Sequence, residues 1–466
     1  MRADLLVRGI AQLVTAEGPG PKHGAAMRQL KVVEQAALAV ADGTILWVGP
    51  EADWTGEAAT TVDAQHRAVV PGLVDPHTHA VWAGDRLTDF EARISGVPYE
   101  RILASGGGIW STIRATAATS PDELLALAKP RIDSLLRSGA TVIEVKSGYG
   151  FKPDAEIALL QVIRGLAGIT RARMVPTLLI HVPPKNASEC AAYLSDVCQT
   201  LIPVVAQQKL AEAEIAMLQV IRGLASTTRA HIVPTLLIHV PPKNASERAA
   251  YVSEVWQTLI PEVARQKMAA AVDVFVEKEA WSAAEAETIL TCAQQHRLAI
   301  KLHTEQFNRV GGLELGLRLG ALSVDHLEAC SAEQVAMMAD SPTIATILPG
   351  VSLHLGLPPA PGRRLIDAGA AVAVGTDLNP GSSPLYSAAM ALALAVRLNG
   401  LTAQEALVAG TVNAAHALGL PSAGRIEPGL PADFLVLQGS YWRELVYTLG
   451  SNPVREVWIR GERVAS

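Results

Sequence analysis

Leu73-Val74-Asp75-Pro76-His77-Thr78-His79 is an apolar run that ends in two histidines one residue apart. On a strand, alternate side chains face the same side, so both imidazoles are expected to point one way. Two neutral imidazoles so placed are a common way to hold a first-row metal ion. Two histidines satisfied near a turn would give the same string, so the rest of the chain has to decide between these readings. Downstream, strand-like runs alternate with amphipathic helical stretches, the mark of parallel β/α units. The runs are Leu73 to His79, Thr141 to Lys146, Met174 to His181, Val272 to Glu277, Ala299 to His303, Leu322 to His326, Thr343 to Leu348 and Ala371 to Asp377. Eight such units predict an α/β fold of the (β/α)₈ barrel type, whose active site lies at the C-terminal ends of the strands.

His303 and Asp377 fall at such ends, as His77 and His79 do. Three imidazoles and a carboxylate suit one divalent ion, Zn²⁺ or Fe²⁺, whose work would be to acidify a bound water and polarise a carbonyl. Asp377 is expected both to ligate and to accept a proton. His326, at the end of the neighbouring strand, is expected to orient the water or stabilise an oxyanion, and Glu305, two residues past His303, to shuttle a proton.

Outward from the barrel, both ends of the chain read as short strands. Leu5 to Ile10, Ala36 to Ala41, Ile45 to Val48 and Ala68 to Val70 lie at the start, Ala432 to Leu437 and Val454 to Ile459 at the end. A small composite β-domain of residues 1–69 and 424–466 is expected around a barrel of residues 70–423. The barrel contains a tandem duplication, in which residues 156–213 are followed by a near copy, 214–271. Pro176 to Ala187 recurs unchanged as Pro234 to Ala245. One duplication is no solenoid. It adds a ninth strand, Ile232 to His239, so one copy is expected to leave the barrel, pack outside it or disrupt it.

The chain has 466 residues, 49% hydrophobic and 18% charged, with a formal net charge of −6. That is ample for a large core and argues for a small-molecule substrate rather than nucleic acid, since no Lys/Arg-rich run occurs. The four cysteines form no C-x-x-C pair and read as free thiols. The start lacks a signal-peptide layout, and no apolar stretch has membrane-spanning length, so a cytoplasmic protein without membrane contact is expected.

Longer strings then carry a resemblance. Pro71 to Arg86, Gly106 to Thr112, Glu144 to Gly150, His303-Thr304-Glu305-Gln306, Asp325-His326-Leu327-Glu328 and Thr376 to Pro384 together resemble the imidazolonepropionase family of the amidohydrolase superfamily, over nearly the whole chain. The resemblance implies hydrolysis of 4-imidazolone-5-propanoate to N-formimidoyl-L-glutamate in histidine degradation. It also implies that Arg86 pairs with the propanoate carboxylate, which suits a forked guanidinium. Tyr149 would line the pocket, Gln306 would hydrogen-bond the ring, and Asn379, Gly381 and Ser382 would shape the rim. Some relatives carry Glu at the position of Gln306, which leaves the general base open between Glu305, His326 and Asp377. A substrate histidine of the family exists here in duplicate, His181 and His239, and His181 is preferred because it follows Tyr149 at nearly the usual distance. Two-metal relatives use a lysine or glutamate on the third or fourth strand. Lys146 stands on the second and reads as structural or as supporting the ligands; Glu277 could serve a second ion, which is not expected. A homodimer is the family's implication. The competing expectations are a ring deaminase with the same metal set and a barrel made inactive by the duplication.

Overall fold

The computed structural model describes residues 1–97, 101–102, 105–146, 148–149, 153–180, 235–238, 252–253, 256–257, 271–278, 280–295, 297–339 and 341–466. Four strands open the chain: β1 (Arg2–Thr15), β2 (Lys31–Ala41), β3 (Thr44–Pro50) and β4 (Glu57–Pro71). Nine follow: β5 (Leu73–Asp75), β6 (Ala140–Lys146), β7 (Arg173–Ile180), β8 (Thr235–Ile238), β9 (Ala271–Val276), β10 (Ala299–Thr304), β11 (Ser323–His326), β12 (Ile344–Ile347) and β13 (Val372–Val374). Three close it: β14 (Phe434–Leu437), β15 (Val454–Ile459) and β16 (Glu462–Ala465).

The outer strands make one seven-stranded sheet in the order β16-β15-β14-β4-β1-β2-β3, so both ends of the chain do share a small β-structure. Its core is Val7, Ile10, Leu13, Leu38, Ile45, Phe434 and their neighbours, with the Phe434 and Trp458 rings stacked at 5.4 Å. Each such aliphatic side chain taken out of water contributes roughly 1.5–3 kcal/mol. β4 runs through Pro71 and Gly72 directly into β5, which ties this sheet to the barrel.

The nine middle strands are all parallel and follow sequence order from β5 to β13. Their residues explain the arrangement. β6 (Ala-Thr-Val-Ile-Glu-Val-Lys) is buried at every position, as a parallel strand covered on both faces must be. The helix Pro121–Arg137 that precedes it is opened by a capping box in which the Ser120 side chain accepts from the Glu123 N–H. β5 and β13 meet at their tips. Asp377 N–H donates to His77 O and His79 N–H to Leu378 O, each at 2.9 Å, and the Asp75 carboxylate accepts from Thr376 N–H and Oγ1. The barrel closes there.

The sheet therefore holds the eight expected strands and also the ninth. The expectation that one copy leaves the barrel is not met. β7 and β8 pair with each other at equivalent positions, Thr177 with Thr235 through Ile180 with Ile238, and β8 continues the sheet to β9. The physical reason lies in the sequence: a strand that fits beside β6 has the same fit for a copy of itself, and equal patterns pair without a slip of faces. Most of the other duplicated residues, among them His181, His239, Cys190 and Cys198, lie outside the described residues. Cys292 and Cys330 are free thiols. Among the described residues no helix is long and apolar enough to cross a membrane.

Candidate metal centre and active site

The metal-ligand candidates come together at the C-terminal rim. β5 ends at Asp75, so His77 and His79 stand on the turn beyond it rather than on the strand. That turn is gripped on both sides, by the Leu378 and Asp377 backbone and by Lys146 N–H donating to Thr78 O. The His77 and His79 rings lie 5.5 Å apart, and His303 packs against His77 with ring centres at 4.4 Å. Asp377 Oδ1 lies 3.4 Å from His77 Nε2 and 3.6 Å from His79 Nε2. Gly375 stands two residues before Asp377, and a Cβ there would approach the His77 Cβ to 3.2 Å, so the last strand passes the site only without a side chain.

Two carboxylates that the sequence reading did not single out aim these rings. Asp325 Oδ2 meets His77 Nδ1 at 2.9 Å, and Asp273 Oδ1 meets His303 Nδ1 at 3.0 Å. A carboxylate only accepts, so each Nδ1 carries the proton and each Nε2 presents a lone pair. Those two Nε2 atoms face each other at 2.9 Å. Lone pairs so close repel unless a cation that both can ligate offsets them. One ligand atom from each of His77, His79 and His303, or of His77, His326 and Asp377, falls within 4.8 Å of the others. The donor set fits a divalent metal ion.

Charge in the site follows from burial. Burial, with His303 and Lys146 close by, holds His77 well below its usual pKa, so it is neutral and fit to ligate. Burial pushes Asp377 up to about 6 against the pull of His326. Burial also opposes a charge on His326, but Glu328, with Asp377 and Asp325 behind it, outweighs that and raises its pKa. Asp75 is pushed up to about 7 by its burial.

The chain turns through left-handed backbone at Glu305 (φ 53°), His326 (φ 86°), Leu327 (φ 69°) and Asp377 (φ 49°). Non-glycine residues avoid this region, and such strain concentrates at functional sites. It also explains how the consecutive Asp325 and His326 both reach the cluster, which strand alternation forbids.

Of the other expected site residues, Tyr149 is brought beside His79, with rings 6.2 Å apart. Arg86 is held through its Nε by Asp89 and through Nη1 by Thr112 Oγ1 at 3.2 Å. Its guanidinium lies 3.6 Å from where a Cβ would stand on Gly381. Asn379 builds the last loop: its Oδ1 accepts from the Gly381 and Ser382 N–H groups at 2.8 Å, and Ser382 Oγ donates to Asp377 Oδ2 at 3.3 Å. Gln306 is buried just past β10. Glu305 is not brought to the cluster. Its carboxylate accepts from Gln334 Nε2, Gly311 N–H and Val310 N–H and bonds Thr304 Oγ1, so the left-handed turn has swung it to the start of the next helix. The expected proton shuttle is a loop anchor. Glu277 likewise accepts from Phe307 N–H, Asn308 N–H and Asn308 Nδ2, which leaves it holding the loop after β10 rather than a second ion.

A model of the amidohydrolase family matches residues 254–464. Among solved structures, an adenosine deaminase from Xanthomonas campestris with bound zinc has a TM-score of 0.63 at 19% identity, with 100% of this chain and 93% of that one covered. An atrazine chlorohydrolase from Arthrobacter aurescens complexed with zinc also reaches 0.63, at 17% identity, with 99% and 95% covered. Those two share the fold. Sequence relatives are far nearer. The imidazolonepropionase of Deinococcus deserti is 53% identical over 462 residues, 99% of this chain and 100% of that protein. That of Deinococcus radiodurans is 52% identical over 463 residues with the same coverage, and that of Chloroflexus aggregans 38% over 470. With likeness of this degree from end to end, and with the histidines and Asp377 converging at the barrel rim, the chain belongs to the imidazolonepropionase family of amidohydrolases.

Proposed function

We propose that the chain hydrolyses the ring amide of 4-imidazolone-5-propanoate, adding one water to give N-formimidoyl-L-glutamate, with one divalent ion, Zn²⁺ or Fe²⁺, held by His77, His79, His303 and Asp377. The observation that carries this reading is the convergence of those four side chains, two of them aimed by buried carboxylates, in a chain of this family. When bound, the ion supplies Lewis acidity to water and carbonyl.

The chain's own residues do the rest. Arg86, fixed by Asp89 and Thr112 beside Gly381, receives the propanoate carboxylate on its guanidinium. Tyr149 and Gln306 bound the ring, and Asn379 with Ser382 sets the far wall. Asp377, raised to about 6, takes the proton from the attacking water through the oxygen that Ser382 also touches. His326, whose pKa Glu328 raises, faces the carbonyl oxygen as negative charge develops there. Glu305 takes no proton in this scheme because its carboxylate is engaged elsewhere.

The test is turnover of imidazolone propanoate by the purified chain, with metal measured on the same sample. Turnover with about one ion per chain is the expected result. Metal without turnover of this substrate, but with release of ammonia from amino-substituted rings, would replace it with a ring deaminase. Neither metal nor turnover after reconstitution would mean an inactive barrel.

A further inference from the structure

Behind His303 lies a chain of buried charge. Lys301 Nζ sits 3.3 and 3.4 Å from the two oxygens of Glu144. Lys146 Nζ sits 2.9 Å from Glu144 Oε2 and 3.2 Å from Asp273 Oδ2. Asp273 then receives the His303 Nδ1 proton on its other oxygen. The side chains of Lys301, Glu144, Lys146 and Asp273 are 2% exposed or less. Two cations balance two carboxylates, which is the condition on which charge survives in a dry interior.

The group spans the point of insertion. In sheet order β7 and β8 stand between β6, which carries Glu144 and Lys146, and β9, which carries Asp273. Contact between Lys146 and Asp273 therefore crosses the barrel interior instead of running along its wall. Of the two lysines, only Lys146 touches the carboxylate that aims a metal ligand. The other aiming carboxylate, Asp325, makes no hydrogen bond through its buried Oδ1 among the described residues.

We propose that Lys146 is a positioning residue for the metal centre. It fixes Asp273 from across the duplicated strands, so that His303 keeps its proton on Nδ1 and its Nε2 lone pair toward His77. Lys301 anchors Glu144 and has no part in aiming the ligand. The proposal rests on the reading of His303 as a ligand, and on nothing in the reaction that follows.

The test compares Lys146→Met with Lys301→Met in the full chain. Each removes one buried ammonium bonded to Glu144. Metal-stripped protein is titrated with Zn²⁺ against a chromophoric chelator, with circular dichroism to report the fold. Removing support behind a ligand typically weakens metal binding tenfold or more, so Lys146→Met is expected to lose about tenfold in Zn²⁺ affinity, and Lys301→Met no more than about twofold. Equal losses would make the network merely structural and overturn the proposal; so would wild-type affinity in Lys146→Met. If either single variant does not fold, the pair Glu144→Gln/Lys146→Met and Glu144→Gln/Lys301→Met replaces them. Both doubles are charge-balanced and differ only in which lysine remains, and the same difference in Zn²⁺ affinity is required. His303→Ala serves as the reference: unchanged Zn²⁺ affinity there would remove the ligand reading, and this proposal with it.

Discussion

Strands β7 and β8 share Thr-Leu-Leu-Ile, pair with each other position for position over that stretch, and differ in their other neighbours, β6 for one and β9 for the other. β10 and β11, and the segment after β13, are each unlike any other part of the chain. They carry His303, His326 and Asp377 at or near their ends, with left-handed backbone at or within two residues of each; a buried carboxylate, Asp273, stands behind His303, and Asp325 of β11 stands behind His77. The first kind of strand is interchangeable because it supplies only a pattern and a wall. The second is fixed in register because a slip by one residue would turn a ligand out of the site. A barrel can thus absorb a repeated wall strand while its chemistry stays in place, provided the strands that carry ligands are still tied to one another. Here the tie runs through Asp75–Thr376 at the closure and through the Lys146–Asp273 contact across the interior.

The sharpest break in this contrast is His303→Ala. It should remove the bound metal and lower kcat/KM by at least about 10³-fold, some 4 kcal/mol of transition-state stabilisation. Metal analysis and steady-state rates on one sample check it; a variant that keeps both would return His303 to the wall. Arg86→Ala should act differently, raising KM about 100-fold, or roughly 2.7 kcal/mol, with kcat little changed, because its carboxylate partner lies away from the reacting carbonyl. An unaltered KM would leave Arg86 only the ion-pair partner of Asp89. Asp325→Asn comes third. It removes the acceptor that fixes the His77 tautomer, and should weaken Zn²⁺ binding about 10-fold, measured by chelator competition, without unfolding the barrel.

The two kinds of strand also differ in how well they can be read from sequence. Strand identity came through in both, since apolar runs of five to eight residues bounded by turns show wherever they occur. The proposed ligands come through because His77, His79, His303 and Asp377 stand at or just beyond the end of an apolar run. Asp273 and Asp325 escaped because they lie inside or next to apolar runs, where a lone carboxylate looks like a defect in the pattern. The signal was there all the same: an acidic residue in a fully buried strand has to be paired, and the barrel offers histidines to pair it with. Glu305 is misread for the opposite reason, and Glu277, where no second ion is expected, shows the same limit. Both stand beside or at a strand end, as a catalytic residue should, but backbone φ decides where Glu305 points, and the loop after β10 claims the carboxylate of Glu277. No alternation rule reaches past a left-handed residue. The fate of the ninth strand was equally out of reach, since the repeat states that two walls are alike and not whether both are built in.

The smallest effect expected belongs to the largest change, deletion of residues 214–271. The junction would place Ala213 before Val272, where Ala271 now stands, so the entry to β9 is unaltered in kind. β7 would meet β9 in the register that β8 now holds, since the two strands differ by the length of the repeat and pair at equivalent positions. One strand fewer narrows the barrel and shortens the path between β6 and β9. Lys146 already reaches Asp273 across the longer path, so the narrower barrel asks less of that contact. The excised protein should therefore bind metal as the full chain does and keep kcat/KM within about tenfold of it, equivalent to no more than about 1.4 kcal/mol. Deletion of residues 156–213 instead should give the same result, because the surviving strand is the same Thr-Leu-Leu-Ile. Activity in one deletion and not in the other would show that the copies have ceased to be interchangeable and would assign the substrate-facing position to the copy that must stay. Loss in both, with the full chain active, would mean that the nine-stranded wall is itself required, and the contrast between wall strands and ligand strands would fall.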